Sequence, residues 1–292
     1  MRIEMLGIEK WYRKKQVLNG LEWRLEPGMY GLLGKNGAGK TTLMRILASI
    51  LKPDAGEIRV DGSPIRDIKE YRRRIGYLPQ EFAVYPEMRV TEVLEYLAVL
   101  SELPRAAYRP RIKALLKQVN LEEQAAKRVR QLSGGMKRRL GIAQALLTDP
   151  ELLIVDEPTA GLDPEERIRF RSLLTASARD RIVLLSTHIP GDVEAACGQA
   201  AVLDGGRFLF RGSCRELAEK AEGKVWQLEV PAAEEETWRQ KCEVLEIQGQ
   251  GKELRLKILA DKAPDPKAER CGGNVENGYM VLIRSQEKGG LG

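Results

Sequence analysis

Short apolar runs bounded by turn residues alternate along the chain with stretches of helical period, a pattern that predicts an α/β protein. The opening MRIEMLGIEK alternates apolar and charged residues, which predicts a strand over Arg2–Lys10 and not a signal peptide. Further strands are expected at Leu21–Leu25, Met29–Leu33 and Glu57–Val60, the last followed by an Asp61-Gly62 hairpin turn. Arg74–Pro79, Leu152–Asp156 and Ile182–Thr187 read as core strands. LLIVD has no polar alternation, as a strand covered on both faces requires.

Between Gln80 and Ser133 the period becomes helical, over Thr91–Ser101, Pro110–Val119 and Glu122–Arg128. This predicts a helical insertion between two core strands. From Ser133 an amphipathic helix runs to Asp149-Pro150, with Met136, Leu140, Ala143 and Leu147 on one face. VLDGGRFLFRG reads as another hairpin. After about Gly223 the texture changes: VWQLEV and ELRLKIL alternate with period two, GQGK makes a turn, and 260–275 is polar and proline-bearing. A small α/β appendage is expected over 223–292, after a main domain over 1–222. No internal repeat is visible.

Composition narrows the picture. The 292 residues suffice for one large domain and a smaller one, and 43% hydrophobic with 31% charged residues describes an ordinary globular chain. No run of about 18 apolar residues occurs, so no segment is expected to span a membrane by itself. Cys197, Cys214, Cys242 and Cys271 are widely spaced and read as free thiols of a reducing compartment; with one histidine in the chain, zinc is not expected. The net charge of +6 is concentrated: Arg105 to Arg139 holds eleven Lys/Arg against Glu122 and Glu123. A solvated helical face is the first reading of that block and membrane lipid the second. Nucleic acid comes third, because only Tyr108 interleaves the charges.

The candidate chemistry is phosphate chemistry. Gly34, Lys35, Asn36, Gly37, Ala38, Gly39, Lys40 and Thr41 match G-x-x-x-x-G-K-[ST], with Thr42 next, the strand MYGLL before and the helical TTLMRILASIL after, ending at Pro53. Glycines there let backbone N–H groups wrap phosphates, while Lys40 is expected to reach the β/γ oxygens and Thr41 to ligate Mg²⁺. Such a loop needs a carboxylate at the end of a neighbouring strand for the metal, and Asp156 closes LLIVD. Glu157 follows as candidate base for an attacking water. A helix cap is the alternative for an Asp-Glu pair, but Pro158 keeps it at the strand's C-terminal end, where open α/β sheets place their chemistry. His188 ends RIVLLSTH and is a candidate donor to developing charge. Gln80 ends RIGYLPQ and is a candidate for orienting Mg²⁺ or water. Ser133, a good N-cap, precedes Gly134 and Gly135, so a second helix N-terminus is also suited to phosphate.

Together these segments closely resemble the ATP-binding subunit of ABC transporters, over roughly residues 1–222 and in family order. GKNGAGKT corresponds to the Walker A loop, Gln80 to the Q-loop glutamine, LSGGM to the signature, LLIVDE to Walker B, Gly161-Leu162-Asp163 to the D-loop and His188 to the switch histidine. The resemblance implies a P-loop core with an N-terminal antiparallel β subdomain and a helical subdomain at about 81–135. It implies a head-to-tail dimer with a second ATP-binding subunit, in which Ser133, Gly134 and Gly135 bind the γ-phosphate of the partner's ATP and Asp163 touches the partner. Asp163 also reads as a helix start, with proline and acids in the first turn. Met136 stands where the family usually has glutamine, which removes side-chain hydrogen bonds and leaves the Ser-Gly-Gly contacts. Tyr12 occupies the position that stacks on adenine, with Trp11 adjacent as the other register.

By the same resemblance the helical insertion faces an integral membrane permease, Gln80 is the hinge into it, and the protein is expected at the cytoplasmic face of the membrane. The stretch from Gly135 to Pro164 most resembles bacterial export-type subunits whose permease is a separate polypeptide. Homodimer and heterodimer remain open. The alternatives are soluble ABC ATPases: those acting on ribosomes, those acting on DNA, and the iron–sulfur assembly type. One P-loop and no sustained heptads argue against the first two, and no nucleic-acid partner is expected.

Overall fold

The computed structural model describes residues 1–159, 162–249 and 251–289, so Gly161 of the D-loop segment and Gln250 of the GQGK turn lie outside the described residues. The chain divides into two units, Met1–Leu209 and Phe210–Gly292.

The first unit opens with the antiparallel pair β1 (Ile3–Tyr12) and β2 (Lys15–Leu25). β3 (Gly28–Leu33), α1 (Lys40–Leu47), β4 (Ala55–Val60), β5 (Ser63–Pro64), α2 (Ile68–Arg73) and β6 (Ile75–Leu78) follow. The helical insertion comes next: α3 (Val90–Leu100), α4 (Arg105–Gln118) and α5 (Gly134–Ala145). β7 (Leu152–Asp156), α6 (Pro164–Ser177), β8 (Ile182–Thr187), α7 (Pro190–Ala196) and β9 (Gln199–Asp204) lead to β10 (Arg207–Ser213), along which the chain leaves the unit. The α/β class, the antiparallel N-terminal sheet and the insertion between two core strands are as the sequence predicts.

β2-β1-β4-β5 form a small sheet, and β10-β9-β3-β8-β7-β6 form the main one. β9, β3, β8, β7 and β6 pair in parallel. Parallel pairing sends the C-terminal ends of β3, β6, β7 and β8 to one edge, with Leu33 opposite Thr187 and Asp156 opposite Ser186. Every residue of β7 and β8 is buried. Leu152, Ile154, Ile182 and Leu184 join α1 and the small sheet in one core, with Ile3, Met5, Leu18, Leu43 and Met44. Their alternates Leu153, Val155, Val183 and Leu185 are buried on the opposite face, which accounts for the missing polar period. Both expected hairpin turns form, with Asp61 and Gly62, and Gly205 and Gly206, all at positive φ.

Four expectations change. The helix after the phosphate loop stops at Leu47, short of Pro53. Ser49 takes φ 52°, the Tyr71 hydroxyl donates to Leu47 O, and Arg72 holds Ser49 O. α5 ends at Ala145, because Arg111 draws off the carbonyls of Leu146 and Leu147 and Asp149 turns the chain at φ 54°. The helix expected over Glu122–Arg128 is only a 3₁₀ turn, Glu122–Gln124. Its later carbonyls are taken instead by the start of α3: Val90 N donates to Lys127 O and Thr91 N to Ala125 O. α4 begins earlier than expected and carries Pro110 within it.

The second unit contains α8 (Cys214–Glu219), β11 (Val225–Pro231), α9 (Glu235–Lys241), β12 (Glu243–Gln248), β13 (Glu253–Leu259), β14 (Glu269–Arg270) and α10 (Val275–Gly289). Its antiparallel sheet runs β12-β13-β11-β14. The alternating Leu228, Val230, Leu254, Leu256 and Ile258 pack with Trp238 of α9. β12 escapes the period-two pattern because a bulge between Val244 and Glu246 breaks it. The unit begins before the change of texture at Gly223, since α8 packs against α10: a Cβ on Gly278 would lie 1.8 Å from Leu217 O. Among the described residues no helix is long and apolar enough to cross a membrane.

Candidate functional site

The loop between β3 and α1 is shaped by glycine at two positions. Gly39 caps α1 at φ 108°, where a Cβ would also press on Leu18, and a Cβ on Gly34 would lie 2.4 Å from Leu203 O. As an N-cap, Gly39 offers no side chain to the first N–H groups of α1, so Lys40, Thr41 and Thr42 begin the helix with donors suited to an anion. Lys40 is 6% exposed, and its ammonium donates to Gly34 O at 2.6 Å and Lys35 O at 3.3 Å.

The ends of β7 and β8 face this loop across the sheet edge. Asp156 is fully buried; its Oδ1 accepts from Ser186 Oγ at 2.5 Å, and among the described residues its Oδ2 has no hydrogen-bond partner. Burial pushes the Tyr77 phenol up, and the Asp156 charge adds to that shift. Glu157 is 5% exposed and sits at φ 47°, a conformation that costs a non-glycine residue roughly 1–2 kcal/mol. Its backbone N–H donates to Ser186 Oγ at 3.0 Å and Ser186 O at 3.2 Å. Its carboxylate bridges two side chains, with Oε1 3.2 Å from Lys40 Nζ and Oε2 2.8 Å from His188 Nδ1. His188 follows β8 and keeps its side chain 47% exposed.

A cleft of about 450 Å³ opens over the phosphate loop, and Asp156 and His188 are not among the residues that line it. It is lined by Tyr12, Lys35, Asn36, Gly37, Gly39, Lys40, Thr41 and Thr42, together with Gln80 and Glu157. Tyr12, at the end of β1, is 45% exposed. Of the two adjacent aromatics only Tyr12 lines the cleft, while the Trp11 N–H is held by Asp54 Oδ2 at 2.7 Å. Gln80 lies two residues past β6. Lys15 and Val17 also line the cleft and carried no motif. Ser186 was missed likewise, although its place two residues before His188 on a core strand was a usable signal.

Ser133, Gly134 and Gly135 are not among the residues lining this cleft. Ser133 caps α5, its Oγ accepting from Met136 N at 3.2 Å, and a Cβ on the buried Gly135 would lie 2.8 Å from Glu166 Oε2. Asp163 caps α6, its Oδ1 accepting from Glu166 N at 2.8 Å. Part of the basic block is structural: Arg139 pairs with Glu166 at 3.2 Å and donates to Asn120 O at 2.9 Å, while Arg128 and Arg130 share Glu87.

Residues 18–160 match the sequence pattern of the family described as ABC transporter. The Nod factor export ATP-binding protein I of Burkholderia pseudomallei (strain 1710b) is 39% identical over 300 aligned positions, spanning 99% of this chain and 91% of the relative. A solved structure described as the ATP binding subunit of an ABC transporter shares 30% identity with a TM-score of 0.68, covering 75% of this chain and 93% of its own. Also similar is cbiO1 from Clostridium perfringens, described as part of the ABC transporter complex cbiONQ. It shares 30% identity and a TM-score of 0.66 over 74% of this chain and 89% of its own.

Proposed function

The chain belongs to the ABC transporter family as an ATP-binding subunit with ATPase activity, and from that premise we propose that it powers an export system whose permease is a separate polypeptide. The supporting observation is the cleft itself, lined by the phosphate loop, Gln80 and Glu157, with the Glu157 carboxylate joining Lys40 to His188. The loop amides and Lys40 hold the β- and γ-phosphates of ATP, and Tyr12 stacks on its adenine. For Mg²⁺ the donor set fits: the Thr41 hydroxyl, the Gln80 amide oxygen and the uncommitted Asp156 Oδ2 are all oxygen, with Ser186 steadying the other Asp156 oxygen. The chemistry the ion supplies there is neutralisation of charge on the phosphate oxygens.

Glu157 accepts the proton of the attacking water. The His188 ring orients Glu157 through Nδ1. Ser133, Gly134 and Gly135 stand outside their own chain's cleft, which supports a head-to-tail dimer where they serve the partner's ATP and Asp163 meets the partner. Nucleotide chemistry is assigned to the first unit, Met1–Leu209, and an accessory role to the second, Phe210–Gly292. The helical insertion docks the permease, which keeps the protein at the inner membrane face. The relative named for Nod factor export supports the direction, and the solved subunit described as part of a complex supports separate partner polypeptides.

The test mixes two inactive variants. Lys40→Ala and Ser133→Arg each damage both composite sites of a homodimer, whereas a mixed dimer holds one site with neither lesion. About half the dimers in an equal mixture are mixed. Phosphate release is expected to recover on mixing, after subunit exchange is verified. If it stays flat with exchange verified, and wild type mixed with the Lys40→Ala, Ser133→Arg double mutant retains activity in its mixed dimers, Ser133 acts in its own chain's site and the dimer reading fails.

A further inference from the structure

The motifs leave one buried carboxylate unexplained. Asp192 lies in the first turn of α7 and is 1% exposed. Its Oδ2 accepts from Thr159 Oγ1 at 2.6 Å, and Thr159 is itself 2% exposed. Its Oδ1 lies 3.2 Å from Arg171 Nη1 on α6, which balances the charge that burial would otherwise penalise. The next residue, Val193, seats α7 on β3, where a Cβ on Gly31 would come within 2.5 Å of Val193 Cγ1. Asp192 is thus fixed to the strand that enters the phosphate loop, and it grips the chain two residues beyond Glu157.

We propose that Asp192 and Thr159 form a positioning clamp that holds Glu157 in its left-handed backbone conformation. This rests on the reading of Glu157 as the base. A non-glycine residue stays at φ 47° only where its surroundings over-determine it. Ser186 supplies one restraint, on the Glu157 N–H, and Asp192 supplies the other, through Thr159. With the second restraint gone, Glu157 relaxes toward ordinary φ, and its carboxylate leaves the bridge between Lys40 and His188. Neither clamp residue reaches the cleft, so ATP contacts are spared.

The test uses Thr159→Val in the full chain, because Asp192→Ala strands a buried hydroxyl and endangers folding. Thr159→Val is expected to lower kcat for ATP hydrolysis by about tenfold to 10²-fold, the scale of a displaced catalytic group, with KM for ATP within about twofold of wild type. Thr159→Ser, which restores the hydroxyl, is expected to recover kcat. Assays run below the melting temperature of every variant, so a contact that serves stability alone leaves kcat unmoved. Normal kcat in Thr159→Val beside an inactive Glu157→Gln overturns the clamp alone, as does loss of ATP binding in Thr159→Val. Near-normal turnover in Glu157→Gln overturns the base reading and the clamp with it.

Discussion

Glu157→Gln separates chemistry from binding, because it removes one charge with almost no change of shape. In the structure Lys40 Nζ lies 3.2 Å from Glu157 Oε1, and two unit charges at that separation attract by about 5 kcal/mol at an effective dielectric near 20, before desolvation is subtracted. Lys40 keeps its bonds to Gly34 O and Lys35 O, so the ammonium is not stranded. The net loss should therefore fall below the roughly 3–5 kcal/mol of a buried pair broken outright; about 1–3 kcal/mol is expected. In a unit of this size each kcal/mol lowers Tm by about 2–4 °C. Phosphate oxygens take over as the counter-charge of Lys40, so ATP should raise the variant's Tm by more than it raises that of wild type. Turnover should fall by about 10²–10⁴, equivalent to about 2.7–5.4 kcal/mol in barrier height. Phosphate release gives the rate, ATP titration gives binding, and thermal melts with and without Mg·ATP give the stability terms. Turnover within about threefold of wild type would remove Glu157 from the mechanism. An unchanged Tm without nucleotide would show that its contact with Lys40 carries no net stability.

Two further outcomes follow from packing and titration. A chain ending at Ser213 should fold and bind ATP, since the whole cleft lies in the first unit; one ending at Glu222 keeps α8 without α10, leaves the fully buried Leu217 and Ala221 uncovered, and should be the less soluble. Gel filtration and ATP binding of both chains decide this, and failure of the shorter chain to bind ATP would show that the second unit is needed for the first. Glu151, bonded to Arg74, is held below its ordinary value of 4.5, so it contributes stability that is present above that value and is lost as pH falls through the lowered one. Thermal melts should show the wild type losing more stability than Glu151→Gln between neutral pH and about pH 3, and parallel curves would refute the assignment.

Much of this protein is written in local chemistry. The glycines of the phosphate loop, the Ser133 and Asp163 caps, the apolar run LLIVD and the two hairpin turns each follow from one residue type in one backbone setting, so they were legible without a fold. The segments that failed did so where a distant partner outcompeted a local preference. Residues 122–128 have the composition of a helix, but their carbonyls are claimed by the start of α3. The helix after the phosphate loop could continue past Leu47, but α2 takes its last carbonyls.

The candidate site divides in the same way. The phosphate-loop motif named Lys40, and residue types at strand ends named Asp156, Glu157, His188 and Gln80, because a parallel sheet delivers its C-terminal ends to one edge whatever its strand order. Strand order and register then decided what touches what. Ser186 stands opposite Asp156 only because β7 pairs with β8, Glu157 bridges Lys40 and His188 only because β8 lies between β7 and β3, and Asp192 reaches Thr159 only because α7 is seated on Gly31. Those side-chain pairings join residues 30 to 117 positions apart in the chain. No local propensity encodes them; they exist because closing the sheet buries β7 and β8 on both faces, and that burial admits one arrangement of the polar groups at its edge.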